Sequence, residues 1–311
     1  MESLQNIKKR LKSVSNVSQI TKAMELVAAT KMRKSQEIAL ASRPFAFLAL
    51  GLLANISTAR SKKVFSPLLE KRKIKRTLYV LISSDKGLAG AFNSSVFRKL
   101  ENYLAENKVD SKKNLFLAIG EKSANYLNKK RISPEKKFVR IGDFTDPKET
   151  NPVSDYLADG YLNQKWDRVV VFSTNFRSAL KQEPLIREIL PIDFECLRKT
   201  VESIVPESGK FANFIKENQI SFIAEKKQSY LIEPSPESVL EKLTRFLFSM
   251  QFYQLVLEAN ASEHAARRLA MKTASDNASK LYFNLSLQYN KSRQSTITRE
   301  IIEITNGAQN V

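Results

Sequence analysis

The chain has 311 residues, a formal net charge of +19, 42% hydrophobic and 27% charged residues. That balance belongs to a folded protein and excludes a disordered tract, and no apolar run reaches the roughly 18 residues a membrane span needs. One histidine and one cysteine leave too few ligands for a His/Cys metal site and no partner for an internal disulfide, which suits a reducing compartment.

The N-terminus, MESLQNIKKR, has no apolar block behind its basic residues, so no secretory signal is expected, and Glu2 and Glu25 argue against a transit peptide. Residues 1–43 contain neither Gly nor Pro, which permits a helix of roughly 65 Å. Leu4, Ile7, Leu11 and Val14, followed by Ile20, Met24 and Val27, recur at three- and four-residue steps. This predicts the narrow seam of a coiled-coil partner. Phe45 to Ile56 is too short to span a membrane and reads as a buried helical segment. Residues 1–76 carry 17 Lys or Arg against four acids. Such a stripe suits nucleic acid, an anionic lipid surface or an acidic protein sleeve, and charge alone does not choose among them.

The middle alternates apolar runs with helical stretches. Strands are predicted at Thr77–Ser83, Asn114–Ile119, Lys137–Ile141, Arg168–Phe172 and Ser229–Ile232, with helices from Asn93 and over Glu121–Lys129. Continuous apolar runs separated by helices indicate a parallel sheet covered on both faces. Between Lys181 and Lys227 the pattern gives little guidance. The loop Ser83-Ser84-Asp85-Lys86-Gly87-Leu88-Ala89-Gly90 follows a strand and precedes a helix, where α/β sheets bind phosphates. It fits neither GxxxxGK[ST] nor GxGxxG, so a tight structural turn is the better reading. Cys196 has no histidine nearby in sequence to activate it, and His264 sits mid-helix in SEHAARR as a packing residue.

Pro234 and Pro236 mark the entry into the last segment. The next 70 residues, up to Gly307, contain no Gly or Pro, which permits one helix of roughly 105 Å. Its expected seam is Leu243, Phe246, Met250, Tyr253, Leu257, Ala261, Ala265, Ala274, Ala278, Leu281 and Leu285, with Ile297, Ile301 and Ile304 on one side near the end. Two such helices at opposite chain ends would pack as an antiparallel pair, the longer running past the shorter. The expected fold is therefore α/β with a long antiparallel coiled coil, divided as residues 1–60, a body over 70–233, and 236–311.

Both terminal segments carry more specific strings. The first holds Ile7-Lys8-Lys9-Arg10, Ile20-Thr21-Lys22-Ala23-Met24-Glu25-Leu26-Val27-Ala28-Ala29 and Lys31-Met32-Arg33. The last holds Asn260-Ala261-Ser262-Glu263-His264-Ala265-Ala266-Arg267, Asp276-Asn277-Ala278 and Tyr289-Asn290-Lys291-Ser292-Arg293-Gln294. These strings resemble the gamma subunit family of F-type ATP synthases, and SSDKGLAGAFN is similar to that family's SSDRGLCG element, with Ala89 where cysteine is common. The resemblance implies a Rossmann-like body with a mainly parallel sheet, and a coiled coil seated among three alpha and three beta subunits. It further implies contact of the body with an epsilon subunit and a membrane ring of c subunits. It places Lys22, Met24, Arg267, Arg293, Gln294, Thr298 and Glu300 at partner contacts, and implies no catalytic residue, cofactor or metal of the chain's own. The paired cysteines of the plastid version are missing, and with the missing leader this suggests a bacterial form at the cytoplasmic face of the inner membrane. Two rivals remain: a basic coiled-coil adaptor for nucleic acid or membrane surfaces, and an α/β enzyme with helical arms.

Overall fold

The computed structural model describes residues 3–59, 66–109, 114–142, 145–192, 233 and 235–308. Cys196 and the predicted strand Ser229–Ile232 lie outside the described residues. Helix α1 runs Leu4–Ala59, followed by a 3-10 turn at Pro67–Leu69. The body then takes the order β1 (Thr77–Ile82), α2 (Phe92–Glu106), β2 (Leu115–Ile119), α3 (Glu121–Lys129), β3 (Lys136–Phe138), α4 (Pro147–Leu162), β4 (Arg168–Phe176) and β5 (Gln182–Leu190). Helix α5, Pro236–Ala308, closes the chain with 73 residues. The chain divides into two compact units, Met1–Ala28 with Arg267–Val311, and Ala29–Ala266.

Within the second unit the sheet order is β3-β2-β1-β4-β5. The first four strands pair in parallel and β5 joins β4 antiparallel. Period-two alternation sends Leu78, Val80 and Ile82 into one core with Val153, Leu157 and Trp166 of the α4 region and Phe248, Phe252 and Val256 of α5. Tyr79 and Leu81 enter the opposite core with Val96 and Leu100 of α2 and Leu127 of α3. Both faces are thus covered, which is why β1 is buried at every position. Helix α4 starts with a full capping box between Asp146 and Glu149. At its other end Gly160 lets Trp166 lie against the helix; a Cβ there would sit 1.9 Å from the indole.

Two differences from the sequence expectation, at β5 and along the α5 seam, have physical causes. Strand β5 was not expected, because Pro184 and charged residues interrupt its apolar pattern; as an edge strand it tolerates both. Helix α1 itself runs on through Pro44 and Gly51, where propensity penalties of about 3 and about 1 kcal/mol are overridden. The α5 seam is not narrow throughout, since residues 251–259 are all buried, as in a helix enclosed on every side.

Candidate subunit interface

In the first unit α1 and α5 pack along a heptad seam. On α1 the buried and half-buried positions include Leu4, Ile7, Leu11, Val14, Ser18, Thr21, Glu25 and Ala28, which alternate by steps of three and four, with Ser15 and Met24 half-buried beside them. The α5 side follows with Met271, Ser275, Ala278, Leu285, Tyr289 and Ser292. Ser18 and Ser279 hydroxyls lie 3.2 Å apart across the seam. In the second unit Met32 packs with Ala261 and Ala265. Partner numbers on α5 fall as those on α1 rise, so the two helices run antiparallel.

Ile20 and Val27, expected in the seam, are 59% and 54% exposed. The seam passes one residue further on, through Thr21 and Ala28, because its middle is polar or small and apolar spacing misplaces it. Phe246 and Leu281 are likewise exposed instead of buried. Thr21 enters the seam without an unpaired hydroxyl, donating to the carbonyl oxygens of Val17 and Ser18 at 2.8 and 3.1 Å.

The residues expected at partner contacts fall into two groups. Lys22 is exposed on α1 and pairs with the buried Glu25 at 2.9 Å, while Met24 is half-buried beside the seam. Counting from the Ser18–Ser279 contact, Met24 lies level with Thr273. On α5, Arg267 is half-buried, whereas Arg293, Gln294, Thr298 and Glu300 are all exposed, about 40–50 Å further along the helix. Thr298 spends its hydroxyl on the Gln294 carbonyl at 2.9 Å, and Arg299 pairs with Glu303 at 3.0 Å. Every residue from 293 to 306 is exposed.

A further set of exposed apolar residues was either missed in the sequence or assigned there to the seam side. Val17, Ile20, Leu26 and Val27 on α1, and Phe283, Leu287 and Ile302 on α5, are exposed apolar residues outside the seam. Ile297, Ile301 and Ile304 join them near the end of α5. Exposed apolar clusters of this extent mark interaction surfaces. A strict heptad count would have separated these residues from the seam.

The loop after β1 fills its own phosphate corner. Asp85 accepts from the backbone N–H of Glu121 and of Arg140, both at 2.9 Å. Ser83 Oγ accepts from Ser123 N–H at 2.7 Å, and the Ser84 carbonyl from Lys122 N–H at 3.1 Å. The first N–H groups of α3 are therefore consumed by the protein itself. Asn93 closes the other side, its side chain bonded both ways to Ser84. No group of three His, Cys, Asp or Glu that could hold a metal ion occurs among the described residues. Nor is any described helix long and apolar enough to cross a membrane.

A self-filled α/β corner, together with a helix pair bearing exposed apolar faces, defines an assembly subunit whose surfaces bind other chains. The family model described as ATP synthase matches residues 3–311. The ATP synthase gamma chain of Gloeobacter violaceus is 34% identical over 312 residues, covering 99% of both chains. That of Opitutus terrae is 38% identical over 304 residues, covering 98% of this chain and 97% of its own. The fold is similar to a chain of the Euglena gracilis mitochondrial ATP synthase rotor, with a TM-score of 0.60 and 19% identity over 94% of this chain and 98% of that one. A chain of the Tetrahymena thermophila mitochondrial ATP synthase central stalk and c-ring gives 0.56 at 24% identity, covering 82% of this chain and 99% of that one. The chain belongs to the ATP synthase gamma chain family, a non-catalytic subunit.

Proposed function

We propose that this chain is the central rotor shaft of an F-type ATP synthase. It couples proton or sodium flow through a membrane ring of c subunits to conformational change, and so to ATP synthesis or hydrolysis, at catalytic beta subunits. One observation carries the reading: α5 continues past the last seam residue, Ser292, into a fully exposed stretch bearing Ile297, Ile301, Ile302 and Ile304. Such a helix end is expected to seat in a sleeve made by other chains, here three alpha and three beta subunits around one copy of this one. The body would meet an epsilon subunit and the c ring, at the cytoplasmic face of the bacterial inner membrane.

Shifting one nucleotide site from 1:99 to 99:1 in conformation takes about 5.5 kcal/mol of differential interaction. An exposed salt bridge supplies about 0–1 kcal/mol. Torque is therefore spread over many contacts, among them Lys22, Met24, Arg267, Arg293, Gln294, Thr298 and Glu300. The rival adaptor is disfavoured because residues 1–44, with much of the basic stripe, contain no aromatic side chain on which a base could stack. Mixing the chain with alpha and beta subunits tests the two readings. ATPase activity that depends on the chain supports the rotor; salt-sensitive DNA retention without co-assembly supports the adaptor.

A further inference from the structure

Helix α5 meets the sheet through two unlike surfaces, both within residues 29–266. The first is apolar: Phe248, Phe252, Leu255, Val256 and Ala259 pack with Val169, Val171 and Ile189. Burial of this kind resists separation but is non-directional, so it sets poorly how far the helix is turned about its axis. The second surface is polar and equally buried. Glu258 of α5 is 5% exposed, with Oε2 3.5 Å from Arg187 Nη2 on β5. Arg187 pairs directly with Val171 in the β4–β5 register, which puts it on the α5 side of the sheet. Asn175, 1% exposed, shares that side by strand alternation, and neither its amide nor Glu258 Oε1 has a hydrogen-bond partner. Nearby, Ser262 Oγ donates weakly to the Thr174 carbonyl at 3.4 Å.

The ties on α5's other side are of a different kind. Tyr253 donates to the Thr145 carbonyl at 3.0 Å and Asn260 to Thr145 Oγ1 at 2.7 Å, both neutral bonds. Arg245 reaches Asp155 and Asp159 of α4 at the surface. Arg187–Glu258 is thus a buried charged contact between α5 and the sheet. A buried ion pair adds little stability, because desolvation offsets attraction; its best-attested use is to specify one arrangement over its neighbours.

We propose that Arg187 and Glu258 are positioning residues that fix the rotational setting of α5 on β5, carrying load from the sheet into α5, and that protonation of Glu258 releases this setting. The inference rests on the rotor reading above. Burial pushes the Glu258 carboxyl up to about 7, with the Arg187 and Arg177 guanidiniums pulling the other way. Among the described residues those two cations, on β5 and just beyond β4, are the charges that act on it. On α5 itself the nearest buried titratable groups are Tyr253, held by the Thr145 carbonyl, and His264, and α4's Asp155 and Asp159 are taken up by Arg245.

The test uses the whole synthase carrying this chain, reconstituted in vesicles, and reads protons pumped per ATP hydrolysed on both sides of pH about 7. The wild-type ratio is expected to fall on acidification through that value. Glu258→Gln is expected to lower the alkaline ratio by about threefold and to make it independent of pH, with Arg187→Met no worse when added to it. A Glu258→Gln complex with the wild-type ratio and pH profile overturns the inference. Should that variant not assemble, Glu258→Asp decides: a retained pH dependence supports the pair, a flat profile refutes it. A wild-type chain on which ATPase activity does not depend would instead sink the rotor reading, whatever these variants do.

Discussion

Ser18 and Ser279 face each other with hydroxyls 3.2 Å apart, in the middle of a seam otherwise spaced as a regular heptad. Small residues flank this contact, Ala28 on α1 and Ser275 and Ala278 on α5, all buried. Small side chains let two helices approach closely, so the seam has little spare volume. Ala28→Leu is expected to lower stability by about 1–3 kcal/mol through overpacking, seen as a drop in Tm of the full chain. Ile20→Ala, off the seam, should change stability by less than about 0.5 kcal/mol. Equal effects of the two would mean the seam is misassigned.

Asp85 holds two backbone N–H groups, those of Glu121 and Arg140. Asp85→Ala leaves both without their carboxylate and is expected to destabilise by about 1–3 kcal/mol. Urea unfolding of the full chain measures this. If instead the loop served a nucleotide, the variant would lose nucleotide binding with little change in stability.

Gly160 and Gly120 are fixed by close approach. A Cβ on Gly160 would fall within 1.9 Å of Trp166, and one on Gly120, where φ is +91°, within 2.2 Å of the Ser83 carbonyl oxygen. Each Gly→Ala change is expected to lower stability by about 3 kcal/mol or more, since rigid ring or backbone must move. Thermal unfolding of the two variants checks it.

How far these features could be read beforehand depended on which force sets each one. Strands β1, β2 and β4 are buried on both faces, so their unbroken apolar runs announced them. Strand β5 is half-buried with Pro184, Arg187 and Glu188 inside it, and neither propensity nor alternation marks such an edge. The breaker-free run fixed α5 to within a residue or two of its ends, because helix continuity is a local property. The seam was legible where Leu, Ile and Val line it and lost at Ser18, Thr21 and Glu25, where hydroxyl and carboxylate positions carry no apolar signal. Arg293, Gln294, Thr298 and Glu300 came from a family likeness alone; nothing in their spacing distinguishes them from an ordinary solvated helix face.

The buried Glu258 gives the fold a pH dependence of definite sign. Its folded value, about 7, lies above the ordinary 4.5, so the folded chain holds the proton more tightly than the unfolded one. The stability contributed by this group is therefore fully present below 4.5 and is lost as pH rises through about 7. Glu258→Gln should flatten this part of the curve, which urea midpoints across that range will read. A slope unchanged by the substitution would place the titrating group elsewhere.

At the end of α5, Arg293 is exposed and one of many contacts, so Arg293→Ala is expected to reduce ATP synthesis by no more than about fivefold, as loss of about 1 kcal/mol implies. Met24→Lys adds a cation beside the seam at the expected beta contact and should uncouple hydrolysis from pumping. Proton pumping and ATPase rates measured on the same vesicles separate these outcomes.

The most direct test is to immobilise an alpha–beta ring assembled around this chain, attach a visible probe to the α/β body, and supply ATP. The rotor account predicts stepwise turning of the probe in one direction at a rate that follows hydrolysis. ATP hydrolysed at the normal rate with the probe stationary would contradict it.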